Sequence, residues 1–322
     1  MEWALPVDEH GFEFGIPWSC ETRVEPGGAV ATLTDSADPG QLRASVDISL
    51  PVGVALFSVK VTVENATARA VPVQCWTNAM LSPGAESVSG SLCFAFPGSS
   101  VVVHSTGDAT LPPPKSTMPW PLVDGRDMSL LGNWRSWLGV FAVDPSAGFA
   151  GVYDSSTDLG VVRLYDPETA PGVKLFGFGA AFPDSATYTD NGSAYVELWG
   201  GPNRSFWPED RRVLAPGEQL SWAETWMPIS GIGGVSSANE RAVLNLQRDP
   251  ERALVGAVTA QTVEATLELL VGEGVIRSDA VVLGPGSPYR AVVPASEWQG
   301  RSGPLRLRLL ERDGTLILEV AR

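Results

Sequence analysis

The sequence predicts an all-β protein, a large two-sheet sandwich followed by a small one. Three observations carry this. Short apolar segments alternate with polar residues at period two. Gly, Pro, Asn or Asp bound these segments, and the 322 residues include 34 Gly and 26 Pro without any repeat. Helical periodicity is scarce, with its best candidate at 236–245, where Ser236 or Ser237 would cap the first turn.

Taken in order, 44–50 reads as a half-buried strand and 54–64 as another, closed by a turn at Asn65-Ala66-Thr67. Residues 71–78, 101–105, 139–143, 149–153, 161–165, 194–200 and 219–226 give further short strands. Residues 111–135 break the pattern. Pro112, Pro113, Pro114, Pro119 and Pro121 oppose sheet pairing, so this stretch reads as a long ordered loop or lid carrying Trp120 and Trp134. Composition shifts near 228–240, and ten of the 11 Trp lie upstream. Downstream, 263–270, 281–283, 305–309 and 315–320 are strand candidates, with a weaker one after Tyr289. Two domains are expected, 1–232 and 240–322, the second an immunoglobulin-like sandwich. Gly231, Gly233 and Gly234 between them suggest a flexible, protease-sensitive junction.

Composition narrows the function classes. A net charge of −15 argues against nucleic acid and against an anionic membrane surface. Three cysteines, none at metal-ligand spacing, make no disulfide framework and no zinc motif. They read as free thiols in a reducing compartment. Two histidines, His10 and His104, exclude a multi-histidine metal site. There is no phosphate loop, no dinucleotide fingerprint and no nucleophile elbow, so neither metal nor cofactor is expected. No apolar run reaches a membrane-spanning length, and MEWALPVDEH is unlike a signal peptide, so a cytoplasmic location is expected.

Carboxylates, arginines and tryptophans remain, and together they suit sugars. Indole faces meet the C–H side of a pyranose, and charged or amide groups meet its hydroxyls. Alternation in 195–199 places Tyr195, Glu197 and Trp199 on one face of a strand. A carboxylate there is either held by a structural arginine such as Arg163 or functional, its pKa raised by partial burial toward that of a general base. Trp120, Trp199 and Trp207 are the better ligand platforms, against a core role for each.

The segment YVELWGGPNRSFWPEDRRVLAPGEQLSWAETWMPI resembles the end of the catalytic domain in aldose 1-epimerase (galactose mutarotase) proteins. Glu197, Phe206 and Leu214-Ala215-Pro216-Gly217-Glu218 occur in that family's order. An uncharacterised bacterial branch is more similar still. Its motifs match Gly11-Phe12-Glu13-Phe14, Asn65-Ala66-Thr67, Trp76-Thr77-Asn78-Ala79, Tyr153-Asp154, Asp158-Leu159-Gly160, Gly172-Val173-Lys174 and Glu197-Leu198-Trp199-Gly200. The resemblance covers about 11–235. It implies a galactose-mutarotase-like β-supersandwich; the family's strands before the Gly-x-Glu-Phe segment are either trimmed away, outside a fragment, or supplied by another chain, and a partner chain or oligomer would cover an open sheet edge.

The resemblance also implies a saccharide ligand. Glu197 and His104 are the candidate catalytic pair. Trp76, Asn78, Trp120, Trp134, Asp158, Arg163, Asp166, Lys174 and Trp199 are the candidate substrate-binding residues. Ala79 stands where the mutarotases carry a histidine acid, so efficient mutarotation is not expected. Two other readings stay open: a non-catalytic sugar-binding or assembly protein with a decayed site, and a structural β-protein whose tryptophans are all core.

Overall fold

The computed structural model describes residues 2–3, 17–35, 42–179, 189 and 192–322. His10 and the Gly11-Phe12-Glu13-Phe14 segment lie outside the described residues. The protein is all-β. The first domain stacks two antiparallel sheets. Sheet A runs in the order Glu2–Trp3, Cys75–Leu81, Val196–Gly201, Gly172–Gly177, Leu138–Ala142, Ser100–Thr106, Thr117–Pro119. Sheet B runs Ser19–Glu25, Gly28–Thr34, Arg43–Pro51, Phe57–Glu64, Gln219–Ser230, Leu159–Tyr165, Phe149–Asp154, Leu92–Ala95. The alternation read from the sequence is the inward set: Val61, Val63, Val101, Val103, Val140, Leu175, Val196 and Leu198 fill the space between the sheets. Burying each such side chain contributes on the order of 1.5–3 kcal/mol.

One charged pair crosses this apolar core. Arg163 and Glu224 both rise from sheet B, from Leu159–Tyr165 and Gln219–Ser230, and both side chains are fully buried. Arg163 grips the carboxylate twice, Nε at 2.9 Å from Oε2 and Nη2 donating to Oε1 at 3.0 Å. Trp222 Nε1 and Thr77 Oγ1 also donate to Oε1, at 3.1 and 2.9 Å. Arg163 Nη1 donates to Gly172 O in sheet A at 3.2 Å, and Gly200 lies flat against the guanidinium. A Cβ on Gly200 would sit 2.1 Å from Arg163 Cζ. Burial alone would raise the Glu224 pKa, but the Arg163 charge and the hydrogen bonds outweigh it and leave it below the usual value.

The C-terminal domain is a second sandwich. One sheet runs Ser237–Ala238, Ala242–Arg248, Arg252–Thr259, Tyr289–Pro294, and the other Gly274–Leu283, Val263–Val271, Leu305–Glu311, Leu316–Ala321. The helix expected at 236–245 is absent; strands occupy Ser237–Ala238 and Ala242–Arg248. The reason is burial on both sides. Leu244 and Leu246 face their own core while Val243 packs against sheet B, so the strand carries no alternation to read. The Pro-rich stretch also differs from a free lid. Thr117–Pro119 pairs with Ser100–Val102 at the edge of sheet A, where prolines are tolerated.

The two domains are joined by a packed interface. Phe149, Tyr153, Val162, Leu164, Met227 and Ile229, on the outer face of sheet B, share an apolar cluster with Ile232, Ala238, Val243, Val258 and Ala260. Tyr153 Oη accepts from the backbone N–H groups of Ile232 and Gly233 and donates to Asp158 Oδ1 at 2.5 Å. Arg290 reaches the same Asp158 carboxylate at 3.2 Å. The glycines of the junction therefore serve tight turns, with Gly231 and Gly233 at φ of 74° and 77°. Among the described residues no helix is long and apolar enough to cross a membrane.

Two outcomes follow. Arg163→Met should destabilise the first domain by about 3–5 kcal/mol, because it leaves the Glu224 charge buried and uncompensated. The Arg163→Met, Glu224→Leu double variant should recover part of that loss, as read by urea unfolding. An equal loss in both would mean the charge pair is not what the core depends on. Limited proteolysis should spare 230–237, contrary to the expectation from composition. Early release of a fragment starting there would show that the interface opens in solution.

Candidate functional site

Period two gives sheet A a second face, turned away from sheet B. Glu197 and Trp199 stand on it in the strand Val196–Gly201, across from Phe176 and Lys174 on one side and Met80 and Asn78 on the other. His104 and Phe141 lie on the same face, since their neighbours Val103 and Val140 point into the core. Trp199 Nε1 donates to Glu197 Oε2 at 2.7 Å, which fixes the half-buried carboxylate against its strand.

Aromatic rings surround this pair. Trp76, Phe141 and Trp199 form a cluster of their own, covered by Phe206 and Trp207. The covering segment is tied down at both ends of its turn. Gln74 Nε2 donates to Ser205 O and Trp207 O, and Asn203 Oδ1 accepts from Cys75 N. The Lys174 ammonium is buried over the Trp199 ring at 4.0 Å and near Phe206 and Phe176 at 4.5 and 5.3 Å. Such ring faces stabilise a desolvated cation. His104 packs edge-on to Phe206 and beside Phe141, each ring 5.2 Å away. Burial, and next the Lys174 charge, lower its pKa to about 4, so the imidazole is neutral at neutral pH. Trp76 Nε1, Asn78 Oδ1 and His104 Nδ1 are buried polar atoms without a hydrogen-bond partner.

Glu197, His104, Trp76, Asn78, Lys174 and Trp199 thus share one face of sheet A. The other expected residues do not join them. Trp120 and Trp134 are core side chains rather than platforms. Trp120 stacks on Phe96 and Trp134 on Phe94, and Trp134 Nε1 donates to Met128 O at 2.7 Å. Arg163 is spent on Glu224 inside the sandwich. Asp158 belongs to the domain interface, and Asp166 is an exposed turn residue accepting from Glu168 N and Thr169 Oγ1. Phe141 and Phe176 were not anticipated. Their signal was available, because alternation with Val140 and Leu175 puts them beside Lys174.

Ala79 also changes meaning. It pairs with Leu198, the inward neighbour of Glu197, so its side chain leaves the strand on the opposite face from the carboxylate. No residue at 79 could share a substrate with Glu197 on that face.

The neutral His104 has a measurable consequence. Its folded pKa of about 4 lies below the ordinary 6.5. The unfolded chain therefore binds the extra proton between those values, and stability falls as pH drops from 6.5 toward 4. His104→Phe keeps the ring packing and removes this contribution. Its melting temperature should fall less than that of the parent between pH 7 and pH 4.5. Equal losses would mean that His104 is protonated as easily in the fold as out of it.

Comparisons with known proteins agree with this architecture. The family described as a domain of unknown function, DUF5107, matches residues 21–229, and the second domain of YphG-like proteins matches 237–320. No curated protein matches. Among solved structures, a TPR-domain containing protein from Parabacteroides distasonis is 22% identical with a TM-score of 0.56, over 70% of this chain and 37% of that one. The Slr1438 protein of Synechocystis is 14% identical with a TM-score of 0.51, over 70% of both chains. A galactose mutarotase-like protein from Clostridium acetobutylicum is 11% identical with a TM-score of 0.49, over 69% of both. The chain spans little more than a third of the Parabacteroides protein that it matches. With more than half of its length matched by one family, the chain belongs to the DUF5107 family.

Proposed function

We propose that the outer face of sheet A binds a saccharide, with Glu197 accepting a hydrogen bond from a sugar hydroxyl. The observation that carries this reading is the Glu197–Trp199 pair. The strand and the indole N–H hold the carboxylate in place, and aromatic faces lie beside it. That combination offers a strong acceptor next to apolar ring surface, which is what a pyranose presents in reverse. Asn78, His104 and Trp76 supply further hydrogen-bonding atoms on the same face. A neutral or basic sugar fits the net charge of −15 better than a polyanion does.

Glu197 is also the group that would act as base if a bond at the anomeric carbon is rearranged or broken, with His104 as its partner. General acid–base groups contribute about 10²–10⁴-fold each, and the neutral His104 is a poor substitute for a charged acid. Binding without efficient mutarotation is the reading that the site supports best.

A panel of neutral, amino and acidic saccharides, followed by tryptophan fluorescence, tests the site. Quenching by a neutral or amino sugar, lost in Glu197→Gln, is expected. Unchanged binding in Glu197→Gln would remove Glu197 from the site, and selective binding of a uronic or sulfated polymer would overturn the electrostatic preference. Polarimetry on α-glucose and α-galactose should show no enzyme-dependent equilibration, and Ala79→His should not create any. Mutarotation gained by Ala79→His would place residue 79 in the site after all.

A further inference from the structure

The two sheets of the first domain do not close on each other everywhere. Beyond the Arg163–Glu224 pair they part into an open cleft of about 670 Å³. Leu33, Val46, Val59, Ala79, Val161 and Trp226 are among its walls. All are core-facing positions of a sandwich, yet Leu33, Val59, Ala79 and Val161 are only half buried. Close packing is the rule in such an interior, so an apolar space of this size is a departure that a ligand would remove. Its volume lies inside the range of small-molecule sites, ~300–1,000 Å³.

The polar atoms of the lining are unequal. Glu224 is neutralised by the buried Arg163, and its Oε1 accepts from Arg163, Trp222 and Thr77, so its charge is already matched. Ser82 Oγ, which borders the cleft, is buried and has no hydrogen-bond partner, whereas the Asn78 side chain belongs to the outward face with Trp199. A buried hydroxyl left unmet is costly, and a ligand's polar group would relieve it. Ser82 directly follows the strand Cys75–Leu81, so the unmet hydroxyl sits at one wall, and Leu33, Val46, Val59, Val161 and Trp226 make the facing surface apolar.

We propose that this cleft is a binding site for a neutral, largely apolar small molecule that carries one hydroxyl or N–H group. The apolar body lies between the sheets against Val161 and Trp226. The single donor reaches Ser82 Oγ. A charged ligand is disfavoured, because the one ion pair at the cleft is already matched and a second charge would enter unpaired. The site is separate from the saccharide face: Thr77, Ala79 and Leu81 line it from the inward side of sheet A, and Glu197 and Trp199 stand on the outward side, outside its lining.

N-phenylnaphthylamine, a neutral aromatic amine with one N–H, is a suitable probe. The whole chain should bind it saturably at one site, with fluorescence excited by energy transfer from Trp226 and reduced in Trp226→Phe. Ala79→Phe and Leu81→Trp fill the cleft from sheet A and should weaken binding at least tenfold without lowering the melting temperature. Ser82→Ala should weaken it about fivefold, the value of one hydrogen bond. Glu197→Gln should leave it unchanged, which separates this site from the saccharide face. Non-saturable binding, or full affinity retained in whichever filled variants keep the parent melting temperature, would overturn the proposal. So would equal affinity for naphthalenesulfonate, an anion of similar size.

Discussion

The Arg163–Glu224 pair sets the distance between the sheets of the first domain. A buried ion pair is costly to desolvate and is retained only where its geometry is complete. Here one carboxylate oxygen accepts from the guanidinium, an indole and a hydroxyl, the other lies 2.9 Å from Arg163 Nε, and the guanidinium also reaches the backbone of sheet A. Thr77 and Gly172 contribute from sheet A, so the pair is satisfied only when that sheet sits at one height above sheet B. Gly200 is part of the same constraint. Any side chain there would displace the guanidinium, so the strand that carries Glu197 and Trp199 must pass over Arg163 as bare backbone.

Two faces of one sheet thereby take different roles. The inward face of Val196–Gly201 contributes Val196 and Leu198 to the core, and the outward face contributes Glu197 and Trp199 to the aromatic site. The pleat allows nothing else once the register with Cys75–Leu81 and Gly172–Gly177 is set. Lys174 and His104 follow the same rule. Their proximity, the cation lowering the imidazole's pKa, comes from strands that are distant in sequence and adjacent in the sheet.

Sheet B is enclosed on its other side by the C-terminal sandwich. Tyr153 is central there: its hydroxyl binds two backbone amides of the junction and the Asp158 carboxylate, which in turn holds Arg290. An aromatic residue at the surface of a sheet thus becomes the anchor between domains. The composition shift near 228–240 marks where one sandwich ends, but the glycines there shape turns in a packed interface and give no free hinge.

The sequence by itself determined the class and most of the strands. Period-two alternation is a local property, legible wherever one face of a strand is apolar and the other is not, as in 44–50, 54–64 and 194–200. It also placed Glu197 and Trp199 side by side, because residues two apart on a strand always share a face. Where both faces are buried, as in Ala242–Arg248, the signal vanished and capping residues suggested a helix instead. Only the tertiary structure decided which polar residues meet. Arg163 read as a sugar ligand or as a structural partner of Glu197, and Asp158 as a sugar ligand, and only the fold gave them Glu224, Tyr153 and Arg290 as partners. Trp120 and Trp134 read as candidate substrate-binding residues in a proline-rich loop and are core side chains. Sheet order brings together side chains a hundred residues apart, and no local pattern in the chain encodes which strands will be neighbours.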